Sequence, residues 1–232
     1  MHWQTLPDHE ALSDRAADIL LAAIRDRQRI VLGLPTGRTP IRMYERVMAA
    51  CEREYHCFRE VVTFNLDEYV GVNRTHPGSY YSFMKRHLFD FIDIDSGNAH
   101  IPDGTAADAG AECARYERAI AAAGGLGLTF LGLGSNGHIA FNEPGTAFDA
   151  RTRVVTLTES TRAANAALFG ESVPTHAITI GIATILESKS IVLLASGDKK
   201  RQAIERLRSG EITEEFPASA LWKHPDVRVL TA

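Results

Sequence analysis

The residue best suited to acid–base chemistry is His138, which lies in a glycine-rich stretch from residue 131 to 145. An imidazole titrates near neutral pH and can carry protons in either direction. The stretch follows the apolar run 128–132, which is typical of a buried strand, so His138 is expected on a loop at a strand end. Glu143 lies five residues later and is expected to orient the imidazole. The pattern predicts proton transfer at this loop.

Two other interpretations of the same stretch meet physical obstacles. It matches the dinucleotide pattern G-x-G-x-x-G, with glycines at 132, 134 and 137. A dinucleotide site needs a helix directly after these glycines, and Pro144 and Gly145 leave no helix of useful length. The nucleophile elbow G-x-S-x-G fails because Leu133 occupies its first position. No second His or Cys lies at zinc-ligand spacing from His138, so no metal is expected.

A pair of acids, Asp67 and Glu68, comes directly after the apolar run 60–65. A carboxylate at such a strand end can act as a general base if it is partly removed from water. An acid that caps a surface turn is the more common arrangement at such a position. The residues alone therefore leave the role of Asp67 open between a base and a turn.

The loop after the run 29–34 carries groups that favour an anion, namely Thr36, Gly37, Arg38 and Thr39. Thr39 is predicted to be a helix N-cap, with Pro40 in the first turn. Free backbone N–H groups at a helix N-terminus bind anions, and Arg38 adds a forked donor. A plain strand-to-helix turn is the alternative.

A second candidate for an anion contact is Lys199, which follows the apolar run 191–195 and is predicted in the first turn of a helix. A lysine at that end opposes the helix dipole, which suggests that it contacts a ligand. A lysine that simply points into water is the alternative, and the residues do not decide between the two.

The elements that must position these loops alternate along the whole chain. Apolar periodicity predicts helices over 8–27, 40–54, 80–89, 108–123, 158–169 and 198–207. Continuous apolar runs predict strands over 29–34, 60–65, 128–132, 152–157, 177–180, 191–195 and 227–230. Strands of this kind separated by helices predict an α/β fold, with a mostly parallel sheet covered by helices on both faces. We expect one domain over residues 1–232, with ligands at the carboxyl ends of the strands.

The overall composition narrows the function classes. The chain has 232 residues, a net charge of −4 and an ordinary share of charged residues, 23%. An acidic balance argues against nucleic-acid binding. Three cysteines without a CxxC motif, and a start without an export signal, favour a cytoplasmic protein. No apolar run approaches the ~18 residues that a membrane span needs, so no membrane partner is expected.

Together the loops resemble the glucosamine-6-phosphate deaminase (glucosamine-6-phosphate isomerase) family. The resemblance extends from the first predicted strand to the C-terminus and is carried by LPTGRTP at 34–40, FNLDEYVG at 64–71, HPGSYYSFM at 76–84, GLGSNGHIAFNEPGT at 132–146, RTRVVTLTESTRAAN at 151–165 and FPASALWKH at 216–224. It implies a doubly wound, Rossmann-like three-layer fold. It also implies amino sugar catabolism, in which glucosamine 6-phosphate and water become fructose 6-phosphate and ammonia without a metal or redox cofactor.

The resemblance also implies a role for each candidate residue. Asp67 would be the base that takes the proton from C2 of the sugar and delivers it to C1. His138 would open the sugar ring, and Glu143 and Asn136 would hold and tune it. The loop at 36–39 and Lys199 would grip the phosphate of the substrate, which is the only partner expected.

Several positions depart from the family pattern. Members often carry, at the position of Ala167, an Arg that contacts the phosphate, whereas Arg38 occupies a position where a small residue is common. We therefore expect Arg38 to supply the missing cation. Asn136 replaces an Asp found in some members, and Val155 replaces a Lys of allosteric members, so no effector is expected. The protein is expected to be a monomer or a small homo-oligomer.

Three alternatives to this function stay open at the level of the sequence. A galactosamine-6-phosphate deaminase differs only in the configuration of its substrate at C4. A hydrolase resembling 6-phosphogluconolactonase shares the fold and a similar glycine-rich loop. A sugar-phosphate sensor without catalysis is the non-enzyme alternative, although such a protein should have lost Asp67 or His138.

Overall fold

The computed structural model describes residues 1–26, 29–53, 57–170 and 172–232, apart from the side chains at 164, 165 and 167. Its strands are β1 His2–Thr5, β2 Val31–Leu34, β3 Val62–Asn65, β4 Asp67–Tyr69, β5 Ala99–His100, β6 Leu128–Gly132, β7 Arg153–Thr156, β8 His176–Thr179, β9 Ile191–Ala195 and β10 Val227–Thr231. Its α-helices are α1 His9–Arg25, α2 Ile41–Cys51, α3 Tyr80–His87, α4 Ala109–Ala122, α5 Glu159–Phe169, α6 Ile182–Leu186 and α7 Arg201–Arg208. The predicted ends of two helices, Arg27 and Glu54, lie outside the described residues.

A parallel sheet of seven strands forms the centre of the molecule, in the order β1-β10-β9-β6-β2-β3-β5. The predicted α/β fold class is therefore confirmed. After β2 the chain first adds strands on one side, at β3 and β5, and then returns to place β6 on the other side of β2. This reversal makes the crevice at the carboxyl ends of β2 and β6 the place where such a sheet binds ligands.

The two faces of this sheet are covered by different helices. On one face the core is formed with α1, α2 and α3, through buried side chains such as Leu12, Leu20, Met43 and Met84. On the other face it is formed with α4, α6 and α7, through Tyr116, Ile185 and Leu207. The central strands are buried on both sides, which explains their continuous apolar runs. The result is the three-layer arrangement expected from the sequence.

A second, smaller sheet was not expected. Strands β4, β8 and β7 pair antiparallel in that order, so the predicted strands 152–157 and 177–180 do not join the main sheet. The reason is visible in β7, whose residues alternate between partly buried and exposed. Such a strand has one wet face and cannot occupy a position that helices cover on both sides. The small sheet instead lies beside the ends of the central strands and contributes Asp67 to the crevice.

Other differences concern short elements and helix starts. The prediction that Thr39 is an N-cap is wrong: Pro40 is the N-cap of α2, and no side chain caps that helix. The helix predicted over 198–207 begins with a 3₁₀ turn at Asp198–Lys200, before α7. Strand β1 was not predicted, because it is mostly exposed and has no apolar run. Among the described residues, no helix has the length and apolar character that crossing a bilayer requires.

The pairing of β2 with β6 yields a stability prediction, because Gly33 lies opposite Thr129. A Cβ added at Gly33 would stand 2.7 Å from Oγ1 and 2.9 Å from Cγ2 of Thr129. We therefore expect Gly33→Ala to lower the free energy of unfolding by about 1–3 kcal/mol, the usual cost of overpacking. Urea denaturation measures this change.

The same experiment in a Thr129→Ala background tests the cause. The cost of Gly33→Ala should shrink there, because the clashing atoms are gone, and a double-mutant cycle separates this coupling from the loss of the bond between Thr129 and Ser188. An equal cost in both backgrounds would contradict the assigned contact.

Candidate active site

Four loops meet at the crevice and enclose a cavity of about 190 Å³. They follow β2, β3, β6 and β9, whose carboxyl ends lie at one edge of the parallel sheet. The cavity is lined by Pro35–Thr39, Leu66, Asp67, Tyr80, Gly132–Gly134, His138, Ala140, Phe141 and Lys200. Of the residues singled out in the sequence, the structure brings Thr36, Gly37, Arg38, Thr39, Asp67 and His138 to this one cavity.

Asp67 is the first residue of β4 and pairs across the small sheet with Thr179. The residue is 6% exposed, although it lines the cavity. Burial, and then the charge of the adjacent Glu68, raise the pKa of Asp67 to about 8. A carboxyl group with a pKa near neutrality can both accept and return a proton, which is the requirement for a general base that acts twice.

Glu68 is buried as deeply as its neighbour but is held in a different way. Its carboxylate accepts the backbone N–H groups of Tyr69, Tyr80 and Tyr81 at 2.8, 3.0 and 2.9 Å. Burial raises the pKa of Glu68 while these hydrogen bonds lower it. Glu68 therefore anchors the start of α3 to the small sheet, and Asp67 is the acid that faces the cavity.

His138 and Glu143 form the second chemical centre. Nδ1 of His138 lies 3.6 Å from Oε2 of Glu143. The amide of Asn136 donates to the same Oε2 at 2.6 Å, and its own oxygen accepts the backbone N–H of His138 at 3.2 Å. The hydroxyl of Thr161, in α5, donates to Oε1 of Glu143 at 2.9 Å. Asn136 and Glu143 thus lie behind the imidazole, away from the cavity lining, as residues that orient it would.

The charge of Glu143 is strongly favoured. Burial alone would raise its pKa, but His138, Asn136 and Thr161 outweigh that effect and lower the pKa of Glu143 to about 2. Glu143 is therefore an anion at all physiological pH values. With Nδ1 beside this fixed anion, Nε2 is the nitrogen left to exchange protons with a ligand.

The loop that carries His138 is fastened to the end of β8. The backbone N–H of Phe141 donates to Oγ1 of Thr179 at 3.1 Å. The amide of Asn142 donates to the carbonyls of Ile139 and Ile180 at 3.0 and 2.9 Å, and Arg153 donates to Asn142 Oδ1 at 2.8 Å. Since Asp67 is paired with Thr179 as well, the two chemical centres are positioned against the same strand.

The cavity lining also contains two cations. Arg38 is exposed at its rim and Lys200 is half-buried in its lining. Burial, and then the nearby Arg38 guanidinium, lower the pKa of Lys200. The two cations repel each other, and an anion between them would relieve that repulsion.

Lys199, which the sequence predicts to hold the phosphate, is not in the lining of the cavity that contains Asp67 and His138. It lies in the 3₁₀ turn before α7 and lines a neighbouring cavity of about 620 Å³, with Arg38, Thr39 and Lys200. Lys200, the next residue, is the lysine in the lining that also contains Asp67 and His138. The turn is tight, so side chains one residue apart point in very different directions. A sequence pattern that finds the turn does not decide which of two adjacent lysines faces the ligand.

Tyr80 is a site residue that the sequence reasoning missed. It is the first residue of α3 and lines the cavity, where its hydroxyl lies 3.1 Å from the hydroxyl of Tyr69. Burial raises the pKa of Tyr80 well above its ordinary value, while a hydrogen bond with the side chain of Thr36 opposes that rise. Tyr80 follows the helix cap Ser79 within the segment HPGSYYSFM at 76–84, and this position is the sequence signal that could have identified it.

Cofactor chemistry was not expected from the sequence. Within the residues that the structure describes, no three His, Cys, Asp or Glu side chains cluster as a metal site would require. The donors around the cavity are instead an acid, an imidazole, a tyrosine and two cations. The absence of a cofactor from the reaction stays a prediction of the sequence.

A parallel sheet with an acid, an imidazole and a cationic rim at its reversal point defines an α/β enzyme that acts on a small anionic compound. The chain belongs to the family described as glucosamine-6-phosphate isomerases/6-phosphogluconolactonase, whose model matches residues 7–230. The family expected from the sequence is thereby confirmed.

Two relatives and one solved structure are similar to this chain over nearly its full length. The chain is 49% identical over 232 residues to the glucosamine-6-phosphate deaminase of Lysinibacillus sphaericus (strain C3-41), covering 99% of this chain and 98% of that protein. It is 48% identical to that of Rhodopirellula baltica (strain DSM 10527 / NCIMB 13988 / SH1), covering 97% and 90%. A solved structure described as a monomeric glucosamine-6-phosphate deaminase superposes with a TM-score of 0.97 at 45% identity, covering 100% of this chain and 97% of that one.

A likeness to lactonases is confined to the fold. The 6-phosphogluconolactonase of Thermotoga maritima superposes with a TM-score of 0.79 at 20% identity, covering 99% of this chain and 98% of that one. Identity this low shows the shared architecture alone.

The buried state of Asp67 yields a prediction about stability and pH. Its carboxyl group ionises near pH 3.8 in an unfolded chain and near pH 8 in the fold. The unfolded state therefore releases this proton first, and the wild-type protein loses stability as pH rises from about 4 to about 8. An Asn has no charge to bury, so Asp67→Asn should be more stable than wild type at pH 8.5, on the order of a few kcal/mol, and the difference should vanish near pH 4.

Urea denaturation between pH 4 and 8.5 measures this difference. Asp198→Asn is the matched control, because the Asp198 side chain is 93% exposed and its charge stays in water in the folded protein. A stability difference for Asp67→Asn that is constant across this pH range would contradict the raised pKa.

Proposed function

We propose that the protein is a glucosamine-6-phosphate deaminase, which converts glucosamine 6-phosphate and water to fructose 6-phosphate and ammonia. The observation that carries the proposal is the placement of buried Asp67 and of His138, backed by Glu143, in one cavity whose other side bears Arg38 and Lys200. The identity of the deaminase relatives over nearly the full chain supports the same reaction.

The reaction begins with opening of the sugar ring. His138 takes the proton of the hydroxyl at C1 and delivers a proton to the ring oxygen O5, so that the C1–O5 bond breaks and an aldehyde forms at C1. Glu143 stabilises the imidazolium that exists between the two transfers, because its carboxylate lies beside Nδ1 and remains ionised. An imidazole suits this step, since it can accept a proton and then donate one at the same nitrogen.

The second stage is the shift of a proton from C2 to C1. Asp67 takes the proton from C2 while one proton of the ammonium group at C2 passes to the aldehyde oxygen at C1, which leaves an enolamine. Asp67 then returns its proton to C1, which leaves an iminium at C2. Water adds to that carbon and ammonia departs, giving the ketose. The substrate carries an ammonium group at C2, and such a cation favours the ionised form of Asp67. Burial of Asp67 therefore suits an amino sugar, because substrate binding itself offsets the cost of its charge.

The phosphate of the substrate is held at the cationic side of the cavity in this proposal. The loop Thr36–Thr39 offers backbone N–H groups beside the first turn of α2, and Arg38 and Lys200 supply the charge. Lys200 takes the place that the sequence assigned to Lys199, and Arg38 supplies the cation expected in place of an Arg at Ala167. The enzyme is expected to work as a monomer or a small homo-oligomer.

The direct test is ammonia release from glucosamine 6-phosphate, with galactosamine 6-phosphate and 6-phosphogluconolactone as parallel substrates. We expect turnover of the first to be the fastest, and Asp67→Asn to reduce kcat by at least roughly 10²-fold, because no base remains at C2. Asp198→Asn, at an exposed position near the cavity, should keep wild-type rates. Faster turnover of either other substrate would replace the proposed reaction with that one.

A second test concerns the phosphate. Arg38→Ala and Lys200→Ala should each raise KM by about tenfold, since a hydrogen bond to a charged group contributes ~1.5–3 kcal/mol. Lys199→Ala is the comparison, because it removes the same charge one residue away and should change KM less. An unchanged KM in Arg38→Ala would refute the role given to that residue. A larger rise in KM for Lys199→Ala than for Lys200→Ala would show that Lys199, as the sequence predicts, holds the phosphate.

A further inference from the structure

The segment 213–219, which follows α7, packs against the loop that carries His138. Phe216 is 1% exposed, and its ring lies directly against the backbone of Gly137. A Cβ added at Gly137 would stand only 2.1 Å from Cδ2 and 2.2 Å from Cε2 of that ring. Gly137 also has a φ of +89°, a backbone conformation that glycine adopts without strain. The backbone of the residue before His138 is therefore in direct contact with an aromatic ring.

Backbone hydrogen bonds fasten the same two segments together. The N–H of Ala218 donates to the carbonyl of Gly137 at 2.9 Å. The N–H of Gly145, at the far end of the loop, donates to the carbonyl of Glu214 at 2.9 Å. Both ends of the loop that contains His138 and Glu143 are thus tied to one short segment.

The segment is itself held in a defined shape. The hydroxyl of Ser219 accepts the N–H of Thr213 and donates to the carbonyl of the same residue, both at 2.9 Å. Ser219 is fully buried. On its other side, Phe216 is covered by the guanidinium of Arg206 from α7, 4.8 Å from the ring centroid. The ring therefore lies between a helix of the main fold and the loop of the active site.

The imidazole of His138 has little freedom within this arrangement. A Cβ at Gly134 would stand 2.5 Å from three atoms of the His138 ring, so the ring lies directly on that backbone. Gly134 and His138 are also joined by a backbone hydrogen bond of 2.9 Å. Because the imidazole is confined on this side, a displacement of Gly137 changes its distance to Glu143 and to any ligand in the cavity.

We propose that Phe216 is a positioning residue for His138, whose ring sets the position of Gly137 and thereby the alignment of the imidazole with Glu143 and with the sugar ring. The inference rests on the proposed function, in which His138 opens that ring. The residues proposed to hold the phosphate belong to the loops after β2 and β9, whereas the hydrogen bonds above join the segment to the loop after β6. Phe216 should therefore influence the rate of the reaction much more than substrate binding.

The first test is Phe216→Leu, which keeps an apolar side chain but removes the aromatic ring. We expect kcat for ammonia release to fall on the order of 10²-fold, the usual consequence of misplacing a catalytic group by about 1 Å, with KM changed less than about twofold. Ile212→Ala is the matched control, because Ile212 is a 44% exposed apolar side chain next to the same segment. It should keep the wild-type kcat and KM.

A spectroscopic measurement separates positioning from a general loss of structure. In protein with ¹³C-labelled histidine, the ring signal of His138 is assigned from its disappearance in His138→Asn. This signal should move in Phe216→Leu and stay in place in Ile212→Ala. The other histidine signals should keep their wild-type positions in both variants, which shows that both proteins are folded. If Phe216→Leu does not fold, Ser219→Ala takes its place, since it loosens the segment and leaves the ring; a smaller fall in kcat and a shift of the same signal are expected.

The possible outcomes are distinct. A folded Phe216→Leu with wild-type kcat and an unshifted His138 signal overturns the proposal, as does a raised KM with unchanged kcat. For Ser219→Ala, no change in either readout overturns it. If the wild-type protein releases no ammonia, the proposed function fails, and the His138 signal alone still decides whether Phe216 positions the imidazole.

Discussion

Burial of the Asp67 carboxyl group is the constraint around which the rest of the site is organised. A three-residue strand holds Asp67 opposite Thr179, and removal from water raises its pKa to about 8. The adjacent Glu68 is equally buried, but three backbone N–H groups satisfy it. Two neighbouring acids are thus held differently: backbone hydrogen bonds make Glu68 a structural anchor, whereas burial gives Asp67 a high proton affinity.

Strand β8 also positions the loop that carries His138. Thr179, the partner of Asp67, also receives the backbone N–H of Phe141 through its hydroxyl, and the carbonyl of Ile180 accepts from Asn142. The loop with the imidazole is therefore placed relative to Asp67 by a single strand. Contacts on its other side come from the segment that contains Phe216, so the loop is held between two parts of the fold. Such support from rigid elements is what a precisely placed acid–base group needs.

The cationic side of the cavity depends on the main sheet. Arg38 and Lys200 come from loops after β2 and β9, which the strand order brings to the same edge. Burial, and then the nearby Arg38, lower the pKa of Lys200. The chain as a whole carries a net charge of −4, so this positive region is local. The charged form of buried Asp67 is disfavoured by burial, and the charged form of Lys200 by burial and by the nearby Arg38. A substrate with an ammonium group near the acid and a phosphate near the cations relieves both costs at once.

The sequence alone determined the alternation of helices and parallel strands, the family, and which strand-end loops carry the chemistry. Apolar runs and turn residues are local signals, and the carboxyl ends of parallel strands always meet at one edge. The tertiary structure decided which of the adjacent acids Asp67 and Glu68 faces the cavity, and which of Lys199 and Lys200 does. The first choice comes from pairing with Thr179, more than a hundred residues away, and the second from the direction of side chains around a tight 3₁₀ turn. Neither long-range pairing nor side-chain direction leaves a periodic trace in the sequence, because both depend on contacts between segments that are brought together only by folding.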